Sequence, residues 1–561
     1  MDLVSFMLSS PALTTSSSSS DDLLVDATSP SHKQTPDQYR ASIVAIANLL
    51  ASPKYNVSPG DTVCIFCYND VLLPSTHIGI LATGAVVSPA NIVYLPSELR
   101  HQLTTTKAKI VITIPEKKQV VEEALALGPH NVSHIVYLND FAKEALDSCR
   151  YSQDEISKRA KHPQGPIVGL RQILPPAASN LTPDSHAYYC FSSGTSGVPK
   201  GVITAHNNMV SNVQQQFFVL SETHYTPDKV FGGFLPMSHI YGLSQYIYTL
   251  PFIGIKTVIF PKFDLQLILN NIETHKINFL HIVPPVAVLF AKSPLVDKYP
   301  DIKSHIQGLI SGAAPLSKEL ASQVISRLGC PVYQAYGLTE TSPMTHIFSY
   351  DVGNYNVSSI GWLLPGMEAR VVAEDGTEID TPHTPGELWL RGPNVMRGYL
   401  NNPEATAAAF ADPDTLQWFR TGDVVILDES AQYFVVDRFK ELIKSKGHQV
   451  APAELEAALL AHDSIADVAV TGFHVPHEGT ELPRAFIVLK QGLAQTPQQK
   501  QLHALAIKKW FDSTVARHKQ LWGGIVIVDE IPKSASGKIL RRVLRSQTAD
   551  VVYGYAPKSK L

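Results

Sequence analysis

The sequence predicts an α/β protein. Its first half should form largely parallel sheets, followed by a smaller antiparallel, β-barrel-like part and then a small α+β unit at the C-terminus. Three observations predict this. Short apolar runs alternate with helical patterns up to about residue 350. Beyond that point short strand patterns are separated by turn pairs such as Asp375-Gly376 and Asp428-Glu429. From Pro452 onward helix and strand patterns alternate again within a short span.

Taken in order, Val63–Phe66, Lys109–Ile114 and His134–Leu138 are apolar runs of strand length. Between the last two, Pro115–Leu127 opens on Pro and spaces Val120, Val121, Ala124 and Leu125 as one helix face. Strand–helix–strand alternation packs as a parallel sheet with crossover helices. Val258–Phe260, Phe279–Val283 and Gly308–Ser311 continue it. Glu387–Arg391, Val424–Leu427 and Tyr433–Val436 read as short strands between turns. Finally, Pro452–Leu460 and Gln498–Ser513 read as helices, and Ile465–Phe473 and Arg484–Leu489 as strands.

Composition narrows the function. The 561 residues are ample to bury a core without metals or disulfides. Charged residues are 17% and hydrophobic residues 44%, which excludes a disordered chain or a coiled coil. Net charge is −4, so no basic face calls for nucleic acid. Five cysteines give no disulfide framework, and the pair Cys64 and Cys67 lies in an apolar run that reads as a buried strand. The long apolar stretches Val71–Leu95 and Leu243–Phe260 are interrupted by polar residues, so no membrane span is expected. Met1–Ala12 lacks the basic start of a signal peptide, and Ser16–Ser20 is expected to be a mobile loop. The sequence ends in Ser559-Lys560-Leu561, a receptor-read peroxisomal address when terminal and exposed.

The strongest chemical signal is Ser192-Ser193-Gly194-Thr195-Ser196-Gly197-Val198-Pro199-Lys200-Gly201, entered from the apolar run Tyr188–Phe191. Small residues let successive backbone N–H groups converge on a phosphate chain, and hydroxyls add donors. Lys200 supplies a point charge. Pro199 precedes the Lys where a Walker A loop needs Gly, so this is a different phosphate loop.

This loop resembles the signature of the adenylate-forming superfamily of acyl-CoA ligases, luciferases and peptide-synthetase adenylation domains. Further matches follow in the family's order. They are Leu235–Tyr241 around His239, Ser311–Leu316, Tyr333–Glu340, Trp418–Asp423, Val436–Lys444, Lys446–Glu456 and Pro532–Lys538. The resemblance spans roughly residues 40–545 and is strongest to 4-coumarate–CoA ligases and aryl or fungal-type acyl-CoA ligases. It implies an enzyme that makes an acyl-adenylate from ATP and a carboxylic acid, then passes the acyl group to CoA, releasing AMP and pyrophosphate. It also implies a division into 1–439, an adenylation domain, 440–550, a mobile domain carrying the catalytic lysine, and 551–561, a tail with the peroxisomal address.

Residue roles follow from the same resemblance. Ser192, Ser193, Gly194, Thr195, Ser196, Gly197 and Lys200 would cradle the phosphates, with Thr195 and Glu340 holding Mg²⁺ through hard oxygens. Gln334, Ala335, Tyr336 and Thr339 would line the nucleotide, Tyr336 offering its face to adenine. Asp423, in a turn ending a strand, would accept the ribose hydroxyls beside Arg438. His239 would orient the acid, and Lys538 would bridge carboxylate and α-phosphate. Tyr241, Gln245, Gly312, Ala313, Gln334 and Gly337 would shape the acyl pocket. Lys440 would be the hinge, Lys444 an adenylate contact, and Lys262, Lys446, Gly447 and Gln449 CoA contacts. Gly242, Gln245 and Ala335 depart from the residues common in 4-coumarate ligases, so hydroxycinnamate specificity does not carry over. A carrier-protein-loading adenylation enzyme and a luciferase-like oxygenase share the scaffold and stand as the alternatives.

Overall fold

A computed structural model describes the chain except residues 15–21, 193–198, 221–224, 349–355, 439–440, 446–447, 476–479, 495, 535–536, 547–551 and 555–561. At 14, 438, 444, 448, 449 and 480 it describes the backbone alone.

Two mainly parallel sheets form the large unit. The first runs His134–Tyr137, Ile110–Thr113, Thr62–Phe66, Val86–Pro89, His186–Ser192, Lys200–Ala205, and only the last pair is antiparallel. Thr62–Phe66 is buried along its whole length, as a parallel strand covered on both faces must be. Among the described residues the second sheet has nine strands; Val332–Gly337, Gly308–Ser311, Phe279–Ile282, Val230–Gly233 and Lys256–Ile259 lie side by side in that order, each parallel to the next. The C-terminal ends of the strands Gly308–Ser311 and Val332–Gly337 carry several of the residues singled out above.

The expected helix at Pro115–Leu127 begins as a tight 3₁₀ turn, Pro115–Lys117, and continues as Lys118–Ala126. Cys64 and Cys67 are buried free thiols, and burial pushes the Cys64 thiol up to about 12. Both therefore stay protonated, as structural cysteines do. Among the described residues no helix is long and apolar enough to cross a membrane.

The antiparallel part is a five-stranded sheet built from Glu368–Val372, Gly386–Arg391, Phe410–Asp412, Gln417–Leu427 and Tyr433–Arg438. Its strands all pair antiparallel. Neutral amides fasten it to the parallel sheets. The Asn208 side chain, on the helix His206–Leu220, donates to the Pro393 and Val395 carbonyls at 2.7 and 2.9 Å. Asn394 donates to the Thr341 and Met344 carbonyls at 2.8 and 2.9 Å. These buried amides fix segment 393–395 against segment 341–344.

The C-terminal unit has its own apolar core, including Ile443, Leu455, Val468, Ile487, Ile507 and Ile525. Its three-stranded sheet, Ile465–Val475, Thr480–Leu489 and Ile525–Ile527, packs with the helices Pro452–Leu460 and Pro497–Thr514. One buried ion cluster ties its parts together. Arg541 donates to Glu441 at 2.7 Å, to both Glu456 oxygens at 2.8 and 2.7 Å, and to the Val470 carbonyl at 3.2 Å. Burial opposes the Arg541 charge, and Glu456, Glu441 and Asp437 more than restore it.

Candidate active site

A cleft of about 1630 Å³ lies between the large unit and the C-terminal unit. It brings together Ser192, Lys200, His239, Tyr241, Gly312, Ala313, Gln334, Ala335, Tyr336, Gly337, Thr339, Glu340, Asp423 and Lys538. These residues come from both parallel sheets, the antiparallel sheet and the C-terminal unit.

At one end, Ser192 closes the strand His186–Ser192 and pairs in register with Lys200. Ser193, Gly194, Thr195, Ser196 and Gly197 lie outside the described residues. Glu340 sits on the 3₁₀ turn Thr339–Thr341, and the residue is only 8% exposed. Its Oε1 accepts a 2.9 Å hydrogen bond from the Tyr399 hydroxyl, and its carbonyl accepts from Met396 N at 2.8 Å. Burial and the Glu340 charge raise the Tyr399 phenol well above its ordinary value, so the phenol is the donor. The Lys200 ammonium lies 4.8 Å from the Tyr399 ring centroid, within cation–π range. No cluster of three or more His, Cys, Asp or Glu able to hold a metal occurs among the described residues. One buried carboxylate whose partner Tyr399 also contacts Lys200 is nevertheless the donor chemistry Mg²⁺ uses when phosphates supply other ligands. Glu340 fits that mode.

In the middle, Tyr336 is the penultimate residue of the strand Val332–Gly337 and donates from its hydroxyl to Asp423 Oδ2 at 2.6 Å. Asp423 was expected in a turn ending a strand. It lies instead inside the long strand Gln417–Leu427, which kinks at Gly422 with φ +72°. The kink is held by Gly422 N donating to Glu387 Oε1 at 3.1 Å and Asp423 N donating to Thr421 Oγ1 at 3.1 Å. Tyr336 is thus more than an aromatic face, because its phenol fixes the Asp423 carboxylate. Arg438 pairs with Asp423 across the sheet through its backbone, and its side chain is outside the description.

Gln334 supports the wall rather than presenting its amide. Its Oε1 accepts from Leu316 N at 3.0 Å, and its Nε2 donates to the Leu316 and Val357 carbonyls at 3.2 and 2.8 Å. Within that wall Ala313 has φ +67°, a conformation that favours glycine.

At the far end, His239 caps the turn Ile240–Gly242 by accepting the Tyr241 N–H at Nδ1, 3.3 Å. Burial, and secondarily the Lys538 charge, lower it to about 4, so the imidazole is neutral. Tyr241 anchors its hydroxyl on the Ile310 carbonyl at 3.0 Å, with its ring across Gly312. A Cβ on Gly312 would meet that ring at 2.9 Å. Gln245 does not line the cleft. It is fully buried on the π-helical stretch Leu243–Thr249, donating to Gln216 at 2.7 Å and accepting from the Tyr225 hydroxyl at 3.2 Å. Its amide is thus taken up by Gln216 and Tyr225, which spacing alone did not reveal.

Lys538 comes from the C-terminal unit, in a loop pinned by Lys538 N donating to Ser534 Oγ at 3.2 Å and Ser534 N donating to the Lys538 carbonyl at 2.8 Å. Gly537, at φ +79°, packs on Pro285, where a Cβ would stand 3.0 Å from the proline ring. Lys262 is exposed and does not line the cleft. Lys440, Lys446, Gly447 and Ser559–Leu561 lie outside the described residues. Lys444 and Gln449 pair through their backbones in the ribbon Ile443–Ser445 and His448–Val450. Sequence reading missed Tyr399. It sits in Gly398-Tyr399-Leu400, distant in sequence from Glu340 and Lys200, with no chemical group beside it to draw notice.

Comparison with known proteins agrees with this geometry. The family model for AMP-binding enzymes matches residues 19–400, and that for the AMP-binding enzyme C-terminal domain matches residues 454–538. The Dictyostelium discoideum protein named "Probable 4-coumarate–CoA ligase 2" is 36% identical over 503 residues, covering 88% of this chain and 86% of its own. The 4-coumarate–CoA ligase of Pinus taeda is 34% identical over 504 residues, covering 88% and 87%. The crystal structure of ATP-bound MatB from Rhodopseudomonas palustris superposes with a TM-score of 0.79 at 25% identity, covering 97% of this chain and 98% of its own. The cleft, its ordered motifs and these matches have one reading: the chain belongs to the AMP-binding enzyme family, among the AMP-forming acid–CoA ligases of the adenylate-forming superfamily.

Proposed function

We propose that this enzyme activates a compact carboxylic acid as its acyl-adenylate and transfers the acyl group to CoA, inside peroxisomes. The observation that carries the adenylation reading is the meeting of Lys538, from the C-terminal unit, with neutral His239 in a cleft that also holds Glu340 and the Tyr336–Asp423 pair.

The chemistry has one electrostatic difficulty: a carboxylate must approach an anionic triphosphate. Lys538 offers a compact cation on a long stem, able to reach the acid carboxylate and an α-phosphate oxygen together. His239, neutral and capped, brings no competing charge and orients the acid through its remaining ring nitrogen. Lys200, Ser192 and the loop Ser193–Gly197, with Thr195, hold the phosphates. Asp423, fixed by Tyr336, receives the ribose. Mg²⁺, when bound through Glu340 and Thr195, supplies positive charge against the departing pyrophosphate. Lys440 as hinge would then let the ribbon carrying Lys444 and Gln449, with Lys446, Gly447 and Lys262, serve thiol transfer. The acid lies against Tyr241 and Gly312, whose contact supports a short or flat aryl acid over a long straight chain. The relatives named 4-coumarate–CoA ligases support an aryl acid, without supporting coumarate itself. Ser559–Leu561 supports the peroxisomal address.

The test is AMP formation from ATP over a panel of aryl, aryl-propenoic, arylacetic and fatty acids, with and without CoA. AMP whose rate rises with CoA for compact acids supports the reading. Adenylate formed with no response to CoA moves the acceptor to a carrier protein or to oxygen chemistry. A fluorescent fusion that remains cytosolic with its Ser559–Leu561 end intact overturns the address.

A further inference from the structure

We infer that Tyr399 is a positioning residue for adenylation: it orients the Glu340 carboxylate with its hydroxyl and seats the Lys200 ammonium on its ring. The inference rests on the reading that Glu340 faces the metal-bound phosphates.

Two opposite charges stand at the same end of the cleft, one on each parallel-sheet system. Left adjacent, a Lys and a Glu collapse into an ion pair, and neither then serves a ligand well. Among the described residues Lys200 and Glu340 form no such pair. Tyr399 stands between them. Its hydroxyl reaches Glu340 Oε1 at 2.9 Å, and its ring centroid is 4.8 Å from Lys200 Nζ. One phenol thereby holds both groups and keeps them apart.

The backbone carrying Tyr399 is tightly placed. Arg397 N donates to the Ile203 carbonyl at 3.0 Å, Ile203 N to the Gly398 carbonyl at 2.9 Å, and Leu400 N to the Gly201 carbonyl at 2.7 Å. Tyr399 forms an antiparallel bridge with Val202, and its N–H donates to Thr406 Oγ1 at 2.9 Å. This segment therefore adds to the edge of the strand Lys200–Ala205, directly after the phosphate loop. It also carries Met396, whose N–H holds the Glu340 carbonyl at 2.8 Å. Placement of Glu340 at both its main chain and its carboxylate thus depends on one segment, 396–399.

The phenol is the separable part. Tyr399→Phe keeps the ring under Lys200 and removes only the donor to Glu340. Affinity for ATP is measured by calorimetry without acid, once with Mg²⁺ and once with EDTA, and adenylation kcat and KM are measured across Mg²⁺ concentration. Tyr399→Phe should weaken MgATP binding and raise half-saturating Mg²⁺ by about three- to tenfold, within the range for net loss of one ordinary hydrogen bond, with affinity in EDTA unchanged. In a Glu340→Gln background the same change should add little. If Glu340→Gln raises both quantities and Tyr399→Phe leaves them within about twofold of the parent, below the effect of one such bond, the inference falls. If Glu340→Gln itself changes neither, the reading of Glu340 falls instead. Should the Phe variant not fold, Glu340→Asp withdraws the carboxylate from the phenol by one methylene and must show the same Mg²⁺-specific rise, or the inference is overturned.

Discussion

Lys538 and His239 come from different folding units, and the Lys538 charge adds to burial in keeping His239 neutral. Replacing Lys538 by Ala removes the only cation argued to touch both anionic reactants, so adenylate formation should fall by about 10²–10³-fold, the range for loss of one transition-state donor. Transfer from preformed acyl-adenylate to CoA should survive, because it does not need that contact. Pyrophosphate release against single-turnover acyl-CoA formation separates the two. The same change should raise the His239 pKa yet leave it below its ordinary value, since burial is the larger cause. A histidine NMR titration reads this directly. Individual site residues were legible through segments that resemble the adenylate-forming superfamily: Lys538 in Pro532–Lys538, Glu340 in Tyr333–Glu340, His239 in Leu235–Tyr241. Tyr399 and the Tyr336–Asp423 bond were not legible, because each is a contact between side chains brought together only by the sheets.

At the scale of elements, two glycines of the cleft differ in what surrounds them. A Cβ on Gly337 would stand 2.1 Å from the Pro343 carbonyl oxygen, which is backbone and cannot swing aside. Gly337→Ala should therefore lower stability by about 1–3 kcal/mol, as overpacking does, measured by urea unfolding. The three atoms nearest a Cβ on Gly312 all belong to the Tyr241 ring, a side chain rather than backbone. Gly312→Ala should fold with a near-parental midpoint but shift acid preference, read as the ratio of kcat/KM for a bulky and a small aryl acid. Strands were easy to read because buried parallel strands are unbroken apolar runs, and Thr62–Phe66 and Phe279–Ile282 lie within two residues of their expected ends. The π-helical stretch Leu243–Thr249 was not readable, since its sequence suits any buried helix, and neither were the Gln216 and Tyr225 partners of Gln245.

For the molecule as a whole, the Arg541 cluster joins Glu441, next to the expected hinge, to Glu456 and to the strand carrying Val470. Arg541→Met would leave buried carboxylates without their cation, a loss of about 3–5 kcal/mol for a broken buried pair. Calorimetry should show an earlier transition for the C-terminal unit and little change in the rest. Acid acts on the other unit. Burial lowers His77, His281 and His346 to about 3 and His206 and His239 to about 4. Unfolded histidines bind protons near pH 6.5, so the unfolded state takes up more protons below that value. The stability these groups contribute is complete above about pH 6.5 and is withdrawn as pH falls towards about 4. The urea midpoint should therefore be lower at pH 5 than at pH 7. Finally, the floor beneath Tyr241 is shaped by what Gly312 lacks, whereas the phosphate end is a set of mutually tied polar groups. A missing side chain can be restored one carbon at a time. Descendants of this enzyme can thus change diet by single codon steps while inheriting their nucleotide chemistry whole.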